Sequence, residues 1–140
     1  MKKTRLEIDY GFDFSLYGIT STLKPFKLAW ELNRALKINL SRVSDLLVRS
    51  KSGEDLGYAQ FLHQTELTSF RLFKNKPEES ATTKWLLVPE HPGFDFILMT
   101  TNRETDNQQE VMEALKNITT IEWCAFLPLA SLKSKENFIF

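Results

Sequence analysis

Only two stretches of this chain repeat their apolar residues at helical spacing, and that limits the fold more than any other feature. Over residues 25–37, Leu28, Leu32, Ala35 and Leu36 form one stripe, with Phe26, Trp30 and Asn33 beside it. Pro25 suits the first helical turn, where a missing N–H costs nothing. A helix this apolar is expected to be well buried. Over 107–117, Val111, Met112, Leu115 and Ile118 form the second stripe, and Thr105 with Gln108 can close a capping box. The other apolar stretches read as strands. From Leu6 to Leu16 the even positions are apolar and the odd ones mostly polar, with Gly11 dividing the run into two strands or a bulge. Residues 44–49, whose pattern fits either a strand or a helix and is read as a strand, 58–63, 67–73, 85–88, 94–99 and 121–127 follow, and a short polar turn makes 58–63 and 67–73 an antiparallel hairpin. Residues 50–57 read as a loop, and 74–83 as the most mobile one.

Consecutive strands without helices between them favour antiparallel pairing. The predicted fold is therefore α+β: a single, mainly antiparallel sheet of about six or seven strands with two helices packed on one face. Too few helices remain for the second face, which is expected to be half solvated or to cover a partner. No linker or repeat divides residues 1–140, so one domain is expected. The apolar tail Phe138-Ile139-Phe140 is expected to pack.

Composition excludes more than it assigns. The 18 basic and 18 acidic residues cancel, which excludes a chain that coats nucleic acid or anionic membrane through bulk charge. Cys124 has no partner for an intrachain disulfide and lies in an apolar run, so it reads as a buried, inert thiol. Two histidines, His63 and His91, give no metal-ligand spacing, no glycine-rich phosphate loop exists, and no cofactor is expected. After Met1-Lys2-Lys3, the acids Glu7, Asp9 and Asp13 interrupt any signal-peptide core, and no apolar run approaches the ~18 residues of a span. A cytoplasmic protein without a membrane segment is expected.

Two short patterns have structural explanations. Ser21-Thr22-Leu23-Lys24 matches Ser-x-x-Lys, but it sits where the chain enters a helix and lacks the motifs that accompany a nucleophilic serine. Phe70-Arg71-Leu72-Phe73-Lys74-Asn75-Lys76 interleaves aromatics and cations as RNA-binding strands do, yet a half-buried strand alternates in the same way. Nucleic acid is not the expected partner.

The most specific stretch is Val88-Pro89-Glu90-His91-Pro92-Gly93-Phe94-Asp95-Phe96. Pro89 cannot donate to a sheet ladder, so pairing should stop there. Glu90 then stands at a strand mouth, three turn residues reverse the chain, and Phe94-Asp95-Phe96 opens the next strand with Asp95 facing opposite to the two phenylalanines. The stretch resembles the motif of the bacterial IPExxxVDY family. Pro89, Glu90 and Asp95 match it in identity, and Val88, Phe94 and Phe96 stand for its Ile, Val and Tyr. Phe96 lacks the tyrosine hydroxyl, so no role of that hydroxyl carries over. The early helix around Leu28-Ala29-Trp30-Glu31-Leu32-Asn33 and the apolar tail are also similar in outline. The resemblance implies no mechanism.

The reading favoured from sequence is a non-enzymatic binding or adaptor module that acts through a protein partner or as a homodimer. The motif residues Pro89, Glu90, Asp95 and Phe96 are its candidate binding site, and Tyr17, Tyr58, Trp85 and Trp123 are its candidate interface aromatics. No catalytic residue is assigned. The alternative is an enzyme in which Glu90 and Asp95 form an acid–base pair. It requires both carboxylates in one cavity and not consumed by backbone N–H groups. A third reading, RNA binding, requires Arg71, Lys74 and Lys76 on one surface with an exposed aromatic.

Overall fold

The computed structural model describes residues 14–49, 53, 55–77, 86–102 and 108–139. In chain order the elements are β1 (Ser15–Thr20), α1 (Pro25–Leu36), β2 (Ser41–Arg49), β3 (Asp55–Gln64), β4 (Thr68–Lys74), β5 (Phe96–Asn102), α2 (Gln108–Lys116) and β6 (Trp123–Leu127). Two 3-10 turns, Leu129–Ser131 and Lys133–Phe138, complete the described chain. The six strands form one sheet in the order β2-β3-β4-β5-β1-β6, and every neighbouring pair is antiparallel. The expected α+β class and antiparallel sheet are what the chain adopts.

Strand alternation sorts the core into two layers. On one face Tyr17, Ile19, Phe61, Phe70, Leu72, Phe96 and Leu98 meet Leu28, Ala29 and Leu32 of α1 and Val111 and Leu115 of α2. Both helices therefore lie on the same side. Pro25 starts α1, and Lys37 closes it in the left-handed conformation, donating its N–H to the Asn33 carbonyl.

The second face was expected to stand half open. Instead the chain covers it itself. Leu16, Leu56, Tyr58, Phe73, Ile97, Met99 and Leu127 pack beneath Leu87, Val88 and Phe94 from one side and Leu132 and Phe138 from the other. A loop and a pair of short 3-10 turns thus stand where further α-helices are missing.

Several local expectations change with that cover. Residues 86–88 are not a strand: the N–H of Leu87 donates to the Asn75 carbonyl and that of Val88 to Asn75 Oδ1, so they follow one buried side chain and not a sheet edge. Strand β5 begins at Phe96, because the Asp95 N–H goes to Ile19 while the Asp95 carbonyl accepts from Asn75. Phe94 and Phe96 consequently enter opposite core layers and do not share a face. β1 extends four residues past Leu16, to Thr20, and the run expected from Leu6 through Asp13 lies outside the described residues. Thr105 lies outside them too. The second stripe of α1 is not buried: Phe26 and Trp30 are 59% and 54% exposed.

Candidate functional site

The motif forms a folded-back loop with Asn75 inside it. Asn75, expected in a mobile loop, is completely buried. It donates its N–H to Asp95, receives those of Leu87 and Val88, and donates Nδ2 to the Phe94 carbonyl at 2.9 Å. One amide thereby satisfies both arms of the loop, which a short helix-free segment over an apolar layer needs. Between the arms the N–H of His91 bonds to Val88 and that of Phe94 to His91. Thr20 Oγ1 donates to the Gly93 carbonyl and ties the tip to β1.

Glu90 reaches across to the end of the chain. Its Oε2 accepts the N–H groups of Lys133 at 2.6 Å and Ser134 at 3.0 Å, and its Oε1 accepts the Ser134 hydroxyl at 2.7 Å. Asn137 Nδ2 adds a bond to the Leu87 carbonyl at 2.9 Å. Desolvation alone would push the Glu90 carboxyl up. Hydrogen bonds from the Ser134 hydroxyl, from its own N–H and from those of Ser134 and Lys133 outweigh it, so its pKa lies below the ordinary glutamate value.

Asp95 points elsewhere. Its Oδ2 accepts the Ser21 N–H at 3.0 Å and fixes the turn between β1 and α1. Ser21 is buried, donates its hydroxyl to the Thr120 carbonyl and accepts the Leu23 N–H. The Ser-x-x-Lys stretch is therefore a helix-entry turn with its hydroxyl engaged. The two acids secure different elements, and each is an acceptor for the chain's own amides.

Beside Glu90 lies a groove of about 550 Å³. Leu56 and Tyr58 form its floor, Val48, Leu86 and Pro89 its apolar walls, and Arg49, Glu90 and Lys133 its rim. Burial pushes the Tyr58 hydroxyl up to about 12. Of the motif residues expected at a site, Pro89 and Glu90 line this groove, Asp95 holds the β1–α1 turn, and Phe96 is core on the helix side.

The expected interface aromatics separate. Tyr17 and Tyr58 are 0% and 2% exposed, so both are core residues, and of the two only Tyr58 lines the groove. Tyr17 meets Phe126 edge-on at 5.6 Å. Trp85 lies outside the described residues. Trp123, on an outer strand of the described sheet, is 63% exposed. The Phe70–Lys76 stretch offers no stacking platform, because Phe70 and Phe73 are buried and Arg71 is half-buried with a bond to Gln60. Cys124 is half-buried; desolvation pushes its thiol up against an opposing pull from Lys116, which is the reverse of what an activated nucleophile needs.

Among the described residues no three His, Cys, Asp or Glu side chains converge on a point, and no helix is long and apolar enough to cross a membrane. Sequence reasoning singled out Pro89 and Glu90, which line the groove, but not Asn75, Ser134 and Asn137. Their partners are distant in sequence, so no local pattern marks them. No protein-family model matches the chain, and no curated protein matches it.

Proposed function

We propose that the protein is a non-enzymatic binding module that acts through a protein partner, with the groove beside Glu90 as the seat for an apolar side chain of that partner. One observation carries this: Asp95 is engaged at the β1–α1 turn and Glu90 at the C-terminal turn, and beside Glu90 lies an apolar-floored groove. A carboxylate that already accepts three hydrogen bonds and has a lowered pKa is a poor general base. Apolar walls around an apolar floor suit an anchor side chain. The same proposal includes membership of the IPExxxVDY family, on the match of Pro89, Glu90 and Asp95. A cytoplasmic location belongs to the same proposal.

Capture from native extract tests it, with wild type beside Val48→Arg and Pro89→Arg, which put charge into the groove, and Leu67→Arg, an exposed control elsewhere. Thermal melts first establish that all are folded. A stoichiometric protein held by wild type and control, and lost from both groove variants, is the expected result. The same protein held equally by the folded groove variants, or a carried small metabolite and no protein, overturns it.

A further inference from the structure

The outward face of α1 is the second surface that the fold leaves unexplained. Leu28, Ala29 and Leu32 point into the core. Phe26, Trp30 and Arg34 follow one another at helical spacing on the opposite side, with Lys27 beside them. Solvent-facing helical positions are normally polar. Here two aromatics, each more than half exposed, present roughly 250 Å² of ring surface. Arg34 lies over the Trp30 ring at 4.9 Å.

Charge is concentrated at the same place. Lys27, Arg34 and Lys37 are exposed along this face and Lys24 is exposed at the entry to the helix, against the single carboxylate of Glu31 within 24–37. Among the described residues none of the four cations is in an ion pair. In a chain whose charges cancel overall, this strip is a local basic excess.

We infer that the outer face of α1 docks an acidic segment of a protein that carries apolar side chains among its carboxylates. The aromatic pair supplies the anchor, since Trp and Arg dominate interface energies, and the cations select carboxylates around it. A second copy of this chain does not fit, because two basic strips would face each other. Nucleic acid fits less well, because Arg34 already occupies one face of the indole on which a base would stack. An anionic membrane fits less well too, because the main apolar face of α1 is turned into the protein and only two side chains stand outward. The surface is peptide-sized, so a Kd of about 10 μM is expected.

The test selects binders to the whole chain from a displayed library of random peptides about twelve residues long, enough to span the roughly 18 Å of α1. The selected peptides are then titrated at low and high salt against wild type, Trp30→Ala, Arg34→Glu and Val48→Arg. Poly(U) and phosphatidylcholine vesicles with and without phosphatidylserine are run beside them. Expected are selected sequences rich in Asp and Glu with interleaved apolar residues, affinity lost about tenfold or more in Trp30→Ala and Arg34→Glu, weakening with salt, and Val48→Arg unchanged. Peptides without acidic bias, or binding indifferent to Trp30→Ala and Arg34→Glu, overturn the inference. Binding of poly(U) or of phosphatidylserine vesicles alone, lost in those two variants, overturns it in favour of that class. Loss only in Val48→Arg would locate the peptides in the groove and overturn it as well.

Discussion

Glu90 and Ser134 stand 44 positions apart and are joined twice, by the Ser134 hydroxyl on Oε1 at 2.7 Å and its N–H on Oε2 at 3.0 Å. The loop that follows β4 and the last turn of the chain thereby become one lid over the second sheet face. Because the folded pKa of Glu90 is lowered, its stabilisation is complete above the ordinary glutamate value and is lost as pH falls through the folded one. Glu90→Gln should therefore melt below wild type at neutral pH by about 1 kcal/mol, or roughly 4 °C, a surface-screened magnitude. The gap should close in acid. Melting curves of both proteins from neutral to acid pH decide it, and a gap that stays constant in acid refutes the assignment.

Asn75 should be the costliest single side chain of the loop. Asn75→Ala leaves the Val88 N–H and the Phe94 carbonyl without their partner in a buried place, at about 2–4 kcal/mol. Asn75→Asp keeps an acceptor for Val88 but turns a second oxygen toward the Phe94 carbonyl. It should be at least as destabilised at neutral pH and recover partly in acid, where a protonated carboxyl can donate. Urea unfolding at two pH values reads both effects. An Asn75→Ala loss below ~1 kcal/mol would show that the loop does not hang on this residue.

A methyl group at Gly18 would meet the ring of Phe94, since an added Cβ falls 2.3 Å from Cδ2. Gly18 lies in β1 between Ile97 of β5 and Ala125 of β6, and its missing side chain is the space in which Phe94 sits. Gly18→Ala should cost about 1–3 kcal/mol by overpacking. Shortening the ring relieves the clash, so Gly18→Ala with Phe94→Leu should cost less than the sum of the singles by about 1 kcal/mol. A double-mutant cycle in denaturant measures this, and simple additivity would exclude direct contact.

The sheet and the position of both helices were legible because periodicity is a local signal. Leu28 and Leu32 or Val111 and Leu115 announce a buried face without reference to anything distant. The cover of the second face was not legible. Leu87 and Val88 look like a strand, but a buried asparagine a dozen residues away, not a sheet edge, fixes them. Phe94-Asp95-Phe96 alternates like a strand too, until the Asp95 N–H and carbonyl bond to different segments and split the rings between two core layers. On α1 both stripes were apolar enough to be core. The cations Lys27 and Arg34 beside Phe26 and Trp30 were the only sign of which stripe faces outward.

Tyr58 gives the groove floor a signature on the alkaline side. Burial pushes its hydroxyl from 10.0 to about 12. The sign follows from which state ionises first. Above pH 10 an unfolded chain would ionise this tyrosine while the folded chain keeps it neutral, so the associated stability is intact below about 10 and is lost as pH rises toward 12. Tyr58→Phe removes that liability while keeping the ring under Val48 and Leu86. At neutral pH the variant should lie within about 1 kcal/mol of wild type. On the alkaline side its Tm should fall less steeply than that of wild type. The other tyrosines and all lysines are common to both proteins, so the difference between the two curves isolates Tyr58. Parallel curves would mean that its hydroxyl is solvated, and a solvated hydroxyl at the floor would contradict an apolar seat for a partner's side chain.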